Sequence, residues 1–174
     1  MPSSASPRPR VIVMGVTGAG KSTVGARLAD ALDVAFVDAD DLHDERSIAK
    51  MRAGVPLDDT DRAPWWQRIN QALRAHPDGL VLAASSLTAT ARAVMTEGVA
   101  QVRFVLLQSD PATIARRVDA RTDHFAGSAL LPSQFALLDP PVDAIVLDAA
   151  RSPEELVAQT VAALRGDTGA APAP

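Results

Sequence analysis

Gly15-Val16-Thr17-Gly18-Ala19-Gly20-Lys21-Ser22 is the stretch that decides the fold. It fits G-x-x-x-x-G-K-[ST] and stands between an apolar run, Val11 to Met14, and a helical pattern from Ser22 to Ala31, the strand–loop–helix setting that this motif requires. The glycines let the backbone curl so that successive N–H groups point inward at phosphate oxygens. The following helix adds the partial positive charge of its N-terminus. Gly15 to Ser22, with Thr23 behind them, are therefore the expected nucleotide site. Lys21 is expected to reach the β- and γ-phosphates of ATP, and the Ser22 hydroxyl to ligate Mg²⁺. A chance match in a chain of this size is below about one per cent.

Outward from this loop, short apolar runs alternate with longer amphipathic stretches. Val34 to Asp38, Gly79 to Ala84, Val102 to Leu107 and Asp143 to Asp148 read as four further strands by length and β-branching. Helical character appears at Glu45 to Arg52, Pro64 to Ala75 and Thr88 to Glu97. Two more helices open at Ser109-Asp110-Pro111 and Ser152-Pro153-Glu154-Glu155, where a capping residue precedes a proline suited to the first turn. Such alternation predicts an α/β fold of three layers, a five-stranded parallel sheet covered by helices on both faces. The polar segment after the second strand and the loop after Arg121 are where the pattern thickens, and such folds place substrate and lid elements there.

The 174 residues are one domain's worth of chain. Residues 1–10 and 166–174 are rich in Pro, Ser, Gly and Ala and read as disordered tails around a domain at 11–165. With 47% hydrophobic and 22% charged residues the chain is neither disordered nor fibrous. The absence of cysteine excludes a disulfide framework and thiol chemistry. A net charge of −4 argues against a nucleic-acid partner, which would want a basic surface. No apolar run is long enough to predict a membrane span, no targeting segment stands out, and the cytoplasm is the default compartment. Of 17 cationic side chains only Lys21 and Lys50 are lysines. Those two positions are where a compact ammonium is expected to be needed rather than a planar guanidinium.

The loop alone does not say what is done with the nucleotide. A GTPase would need N-K-x-D, which is absent, and a motor or AAA-type ATPase would want an acid closing the third strand, which instead ends Leu82-Ala83-Ala84-Ser85-Ser86. The acids close the second strand, as Asp38-Ala39-Asp40-Asp41. That suits a small-molecule kinase, with Asp38 helping to hold hydrated Mg²⁺ and Asp40 facing an acceptor hydroxyl. The acceptor then lies outside the carboxyl ends of the strands, across from the phosphate loop.

With these acids in place the chain resembles the small P-loop gluconate kinases, relatives of shikimate and adenylate kinases, from Val11 to about Leu164. The most specific stretch holds Asp38 and Asp40, His43, Lys50-Met51, Gly54-Val55-Pro56-Leu57 and Asp61-Arg62-Ala63-Pro64-Trp65. A second runs from Ala120 to Pro141 and includes a His-Phe lid, His124-Phe125, and Leu130-Leu131-Pro132-Ser133-Gln134-Phe135. The resemblance implies transfer of the ATP γ-phosphoryl to the 6-hydroxyl of D-gluconate, with a lid at about 122–132 and a homodimer as the typical assembly. It implies that Asp40 contacts that hydroxyl, that Lys50 and Arg62 are cations of the acceptor side, and that His43 and His124 meet hydroxyls. Arg117 and Arg121, four apart on one helix face, correspond to an adenine-stacking and a phosphate-reaching arginine.

Bland roles compete with several of these. His43 could instead brace the helix it introduces, and Arg62 could pair with a neighbouring acid. Asp58, Asp59 and Asp61 read as a solvated face rather than a metal site. Trp65 and Trp66 read as helix-packing residues, Arg116 as solvent-facing and His76 as a loop residue. The chain also departs from the family. Thr88 stands where a lysine is usual and Ala91 where a tyrosine is usual, while Ser85 and Arg92 remain. These losses fall on the acceptor side, so another sugar acid or polyol, in the manner of shikimate, is the alternative acceptor. A nucleotide-binding module without turnover is the alternative of a different class.

Overall fold

A computed structural model of the chain describes residues 8–120 and 127–166. Five strands form one parallel sheet: β1 (Arg10–Met14), β2 (Ala35–Asp38), β3 (Leu80–Ala83), β4 (Val102–Gln108) and β5 (Ile145–Asp148), in the order β2-β3-β1-β4-β5. The helices are α1 (Lys21–Leu32), α2 (Glu45–Arg52), α3 (Asp59–Ala75), α4 (Ala89–Thr96), α5 (Pro111–Asp119), α6 (Leu131–Leu137) and α7 (Pro153–Leu164), with 3-10 turns at Ala39–Leu42 and Gly127–Leu130. This is the three-layer α/β architecture that the alternation of the sequence predicts.

The unbroken apolar run of β1 has a simple cause: both of its faces are covered. Val11 and Val13 join Val24 and Leu28 of α1, Ile114 and Val118 of α5 and Leu156 of α7 on one side. Ile12 and Met14 join Trp65, Ile69 and Leu73 of α3 and Met95 of α4 on the other. A strand buried on both faces reads as continuous rather than alternating hydrophobicity. Truncating a fully buried residue such as Leu28 or Ile69 to alanine would cost about 2–5 kcal/mol.

Most helix starts are set by short side-chain caps. Asp44, Asp58, Thr88, Asp110 and Ser152 each accept the backbone N–H three residues on. The cap explains one difference from the sequence reading. Helix α3 begins at Asp59 rather than at Pro64, because Asp58 and Asp61 form a reciprocal capping box. That box nucleates the helix more than a turn before the proline, and Pro64 then sits inside it, unable to donate to the carbonyl four residues back. Helix α6, in a stretch that reads as loop, is only seven residues long and opens with Pro132 in its first turn.

Arg10 is the first residue of β1, and its guanidinium donates to the carbonyls of Leu73, His76 and Ala100 at 3.1, 3.1 and 3.3 Å. Arg8 pairs with Asp33 at 2.8 Å on the surface. No helix of the described residues is long and apolar enough to cross a membrane.

Candidate active site

The phosphate loop leaves the carboxyl end of β1 and turns into α1. Gly15 has φ +144°, and a Cβ there would lie 2.8 Å from the carbonyl oxygen of Leu107. Gly18 has φ +83°, and a Cβ there would lie 2.5 Å from Cγ2 of Val118 on α5. Both positions demand glycine, by conformation and by space. The loop is thereby pressed between the end of β4 and helix α5. Gly20, left-handed at φ 93°, is the N-cap of α1 and supplies no side-chain cap. No capping side chain at Gly20 competes for the N-terminus of this 12-residue helix, which suits an anion such as phosphate.

The remaining loop groups are held in place. The Gly15 N–H donates to the carbonyl of Ser85 at 3.3 Å, which joins the loop to the segment after β3. Val16 accepts from the Ala19 N–H at 3.2 Å and from Lys21 Nζ at 3.0 Å. Thr17 is gripped twice by Gln134 of α6: its N–H donates to Oε1 at 2.7 Å, and its Oγ1 accepts from Nε2 at 3.0 Å. The motif alone assigns the Thr17 N–H to phosphate, whereas the fold gives it a protein partner. Thr23 lies exposed in the first turn of α1.

The strand-two acids meet this loop. Asp38 is the N-cap of the Ala39–Leu42 turn, accepting the Asp40 N–H through Oδ1 at 3.0 Å. Its Oδ2 accepts from the Ser22 hydroxyl. The two residues expected to hold Mg²⁺ are therefore in contact, a hydroxyl beside a carboxylate, and this donor set suits a hard cation. Among the described residues no group of three or more His, Cys, Asp or Glu side chains forms a metal cluster. A cation that takes few protein ligands and completes its shell with phosphate and water fits that arrangement.

Asp40 follows on the turn. Its surface is open, yet enough protein crowds the carboxyl to raise its pKa above the ordinary value, with the neighbouring Asp38 charge acting in the same direction. Lys21 and His43 oppose that rise by their charges, which places Asp40 within the electrostatic reach of the loop lysine.

His43 ends the turn and stacks flat on Trp65, with ring centroids 4.4 Å apart and planes 12° from parallel. Burial lowers its pKa, outweighing the nearby acids Asp40 and Asp44, and so favours the neutral ring. Its Nδ1 is buried without a protein partner among the described residues. Trp65 is a packing residue, as expected, and it also holds the turn. Its Nε1–H donates to the carbonyl of buried Ala39 at 2.6 Å while its ring face supports His43. Arg68, which sequence reasoning does not single out, braces the same segment by donating to the Leu42 carbonyl at 3.1 Å. Its spacing of three from Trp65 puts both on one face of α3.

Lys50 is not an open cation here. Its Nζ lies 2.7 Å from both carboxylate oxygens of Asp61, whose side chain is only 7% exposed. Asp61 is thus no part of a solvated acidic face. The Lys50 ammonium and the Asp58 N–H hold its carboxyl below the ordinary carboxylate range, the lysine contributing most. A cavity of about 210 Å³ between α2 and α3 is lined by Arg46, Ser47, Lys50, Thr60, Asp61 and Pro64. Arg62 makes a weak surface contact with Asp59, at 3.5 Å, and its charge is felt at His43.

The segment after β3 is organised by Arg92, buried at 7% exposure, which donates to the carbonyls of Ser86 and Leu87 at 2.9 and 3.1 Å. Thr88 plays a structural part, since its hydroxyl caps α4 by accepting the Ala91 N–H at 3.2 Å. Ala91 is buried. On the other side of the loop, Arg117 lies half-buried on α5 next to Val118, and Arg116 is exposed, as expected. Helix α5 runs to Asp119, with Ala120 as its C-cap. Arg121 and His124 lie outside the described residues.

Residues 11–141 match a family model described as an AAA domain, which spans the phosphate loop and the strands around it. Thermosensitive gluconokinase of Escherichia coli is 40% identical over 134 residues, covering 75% of this chain and 71% of that protein. Thermoresistant gluconokinase of the same organism is 36% identical over 162 residues, covering 88% of this chain and 92% of that protein. The chain belongs to the gluconokinase family. A crystal structure of a gluconokinase from Sinorhizobium meliloti 1021 superposes with a TM-score of 0.82 at 35% identity, over 92% of this chain and 93% of that one. As a gluconokinase-family member the chain has the P-loop kinase fold and uses ATP, and its β3 ends without the acid that set AAA-type ATPases aside.

Proposed function

We propose that this chain is an ATP-dependent gluconokinase that transfers the γ-phosphoryl group of ATP to the 6-hydroxyl of D-gluconate. The observation that carries the reading is the contact between Ser22 and Asp38. It brings the phosphate loop and the strand-two acids to one gap, at the carboxyl ends of the strands, where open α/β sheets bind ligands. Identities of 36–41% to curated gluconokinases support the acceptor.

In this reading Ser22 and Asp38 hold Mg²⁺, which when bound supplies charge neutralisation at the phosphates. The uncapped N-terminus of α1 and Lys21 hold the triphosphate. Asp40 orients the acceptor hydroxyl and accepts its proton, with its raised pKa making it a better base than an ordinary aspartate. His43, held by Trp65, meets a sugar hydroxyl beside it. Lys50 and Arg62 serve the acceptor carboxylate, Lys50 in company with Asp61. Positioning and charge stabilisation are most of what phosphoryl transfer asks of a protein.

The test is an ADP-release assay with a panel of six-carbon sugar acids and polyols, together with identification of the phosphorylated position. Gluconate is expected to give the highest kcat/KM and a 6-phosphate product. A second reading, another sugar acid or polyol, is favoured by Thr88 and Ala91; gluconate showing no advantage over the panel would remove the first reading, and a preferred member of the panel would establish the second.

A further inference from the structure

We infer that Gln134 is a positioning residue for the nucleotide, holding the phosphate loop in its binding shape through Thr17. Gln134 presents both ends of its amide to one residue, the carbonyl to the Thr17 N–H at 2.7 Å and the amino group to the Thr17 hydroxyl at 3.0 Å. The partners are 117 positions apart in sequence, so the contact is a tertiary tie rather than a local turn. It is also half-buried, where losing an amide partner is costly.

The position of Thr17 gives the tie its meaning. Thr17 lies between Gly15 and Gly18, both with positive φ and both against neighbouring structure. A segment with that much glycine loses much conformational freedom when it orders. Three ties reduce the freedom left to it: Gly15 to Ser85, Lys21 to Val16, and Thr17 to Gln134. Of these three, the last is the one made by a side chain outside the loop. Gln134 thereby makes Thr17 the loop's anchor, and leaves phosphate recognition to the later amides and to the N-terminus of α1. A loop already held in its bound shape binds its ligand more tightly, because less ordering remains to be done.

This inference rests on the kinase reading only as far as ATP binding, so it is tested by nucleotide affinity measured without acceptor. A wrong acceptor would leave the result standing. Gln134→Met keeps the bulk and loses both hydrogen bonds, and Gln134→Ala removes the bulk as well. Both are expected to raise the Kd for ATP about five- to tenfold, the effect of one or two hydrogen bonds. In steady state KM for ATP should rise likewise, with KM for the acceptor within about twofold of wild type. Thr17→Val, which loses the hydroxyl, should weaken binding in the wild-type background and add nothing in the Gln134→Met background. An unchanged Kd in Gln134→Met, or equal rises in KM for nucleotide and acceptor, or independent effects of the two substitutions, would overturn the inference.

Discussion

Ser22, in the first turn of α1, donates its hydroxyl to Asp38 at the end of β2. Asp38 uses its other oxygen to cap the turn that carries Asp40, so one carboxylate ties the phosphate loop to the turn after β2. The two halves of the proposed chemistry meet at this carboxylate, and substitutions around it separate their contributions.

Lys21→Ala should lower kcat by about a hundredfold or more, the scale seen when one preorganised partner of developing charge is removed. The ammonium sits close enough to the loop to bond the Val16 carbonyl and close enough to Asp40 to affect its titration. Turnover within a few-fold of wild type in a coupled ADP assay would show that the loop is not where transfer occurs.

Asp40→Asn should leave ATP affinity unchanged and abolish most transfer. The same change should stabilise the protein at neutral pH. The folded carboxyl holds its proton more tightly than the unfolded chain does, so its contribution favours the fold only in acid and is lost as pH rises through its folded pKa. The asparagine variant should therefore melt above wild type at pH 7, with the difference vanishing below pH 3.8, the ordinary value for aspartate. A variant that loses nucleotide binding in parallel with transfer would place Asp40 on the wrong substrate.

Trp65→Phe keeps a ring under His43 but leaves the buried carbonyl of Ala39 without its donor. A cost of about 1–3 kcal/mol in denaturant unfolding is expected, from the desolvation of that acceptor. Because the affected turn carries Asp40 and His43, kcat should fall while KM for ATP stays constant. A stability loss with wild-type kcat would make Trp65 a core residue and nothing more.

Lys50→Met should raise KM for gluconate and spare KM for ATP. It also removes the main cause of the lowered Asp61 pKa. In wild type that depressed carboxyl contributes stability present above pH 3.8 and lost as pH falls through its folded value. Acid titration of Tm should show a smaller loss in the variant across that window. If both KM values move together, the Lys50–Asp61 pair only joins α2 to α3.

The sheet, its order of elements and the loop are legible in the sequence because their causes are local. Val11 to Met14 is apolar without interruption since both faces are covered, and Gly15 to Ser22 follows from backbone geometry. The start of α3 reads too late because Pro64 is the louder signal, although Asp58 and Asp61 already spell a cap three residues apart. The pairing of Lys50 with Asp61 and the grip of Gln134 on Thr17 are not legible. Each joins residues brought together only by tertiary packing, and no spacing rule reports such a meeting. Thr88 stands out in the sequence as a departure from a familiar pattern, and the structure supplies the reason in the cap it provides to α4.

The central place of β1 has a consequence for biosynthesis. It leaves the ribosome before either strand that flanks it, since its partners Leu80 and Val102 come far later in the chain. Until both have emerged, Val11 to Met14 is an unpaired and wholly apolar edge, the kind of segment that associates with other chains when closure depends on distant contacts. Yield on refolding should accordingly fall with protein concentration, and the growing chain is a natural client for chaperones until β4 has been made.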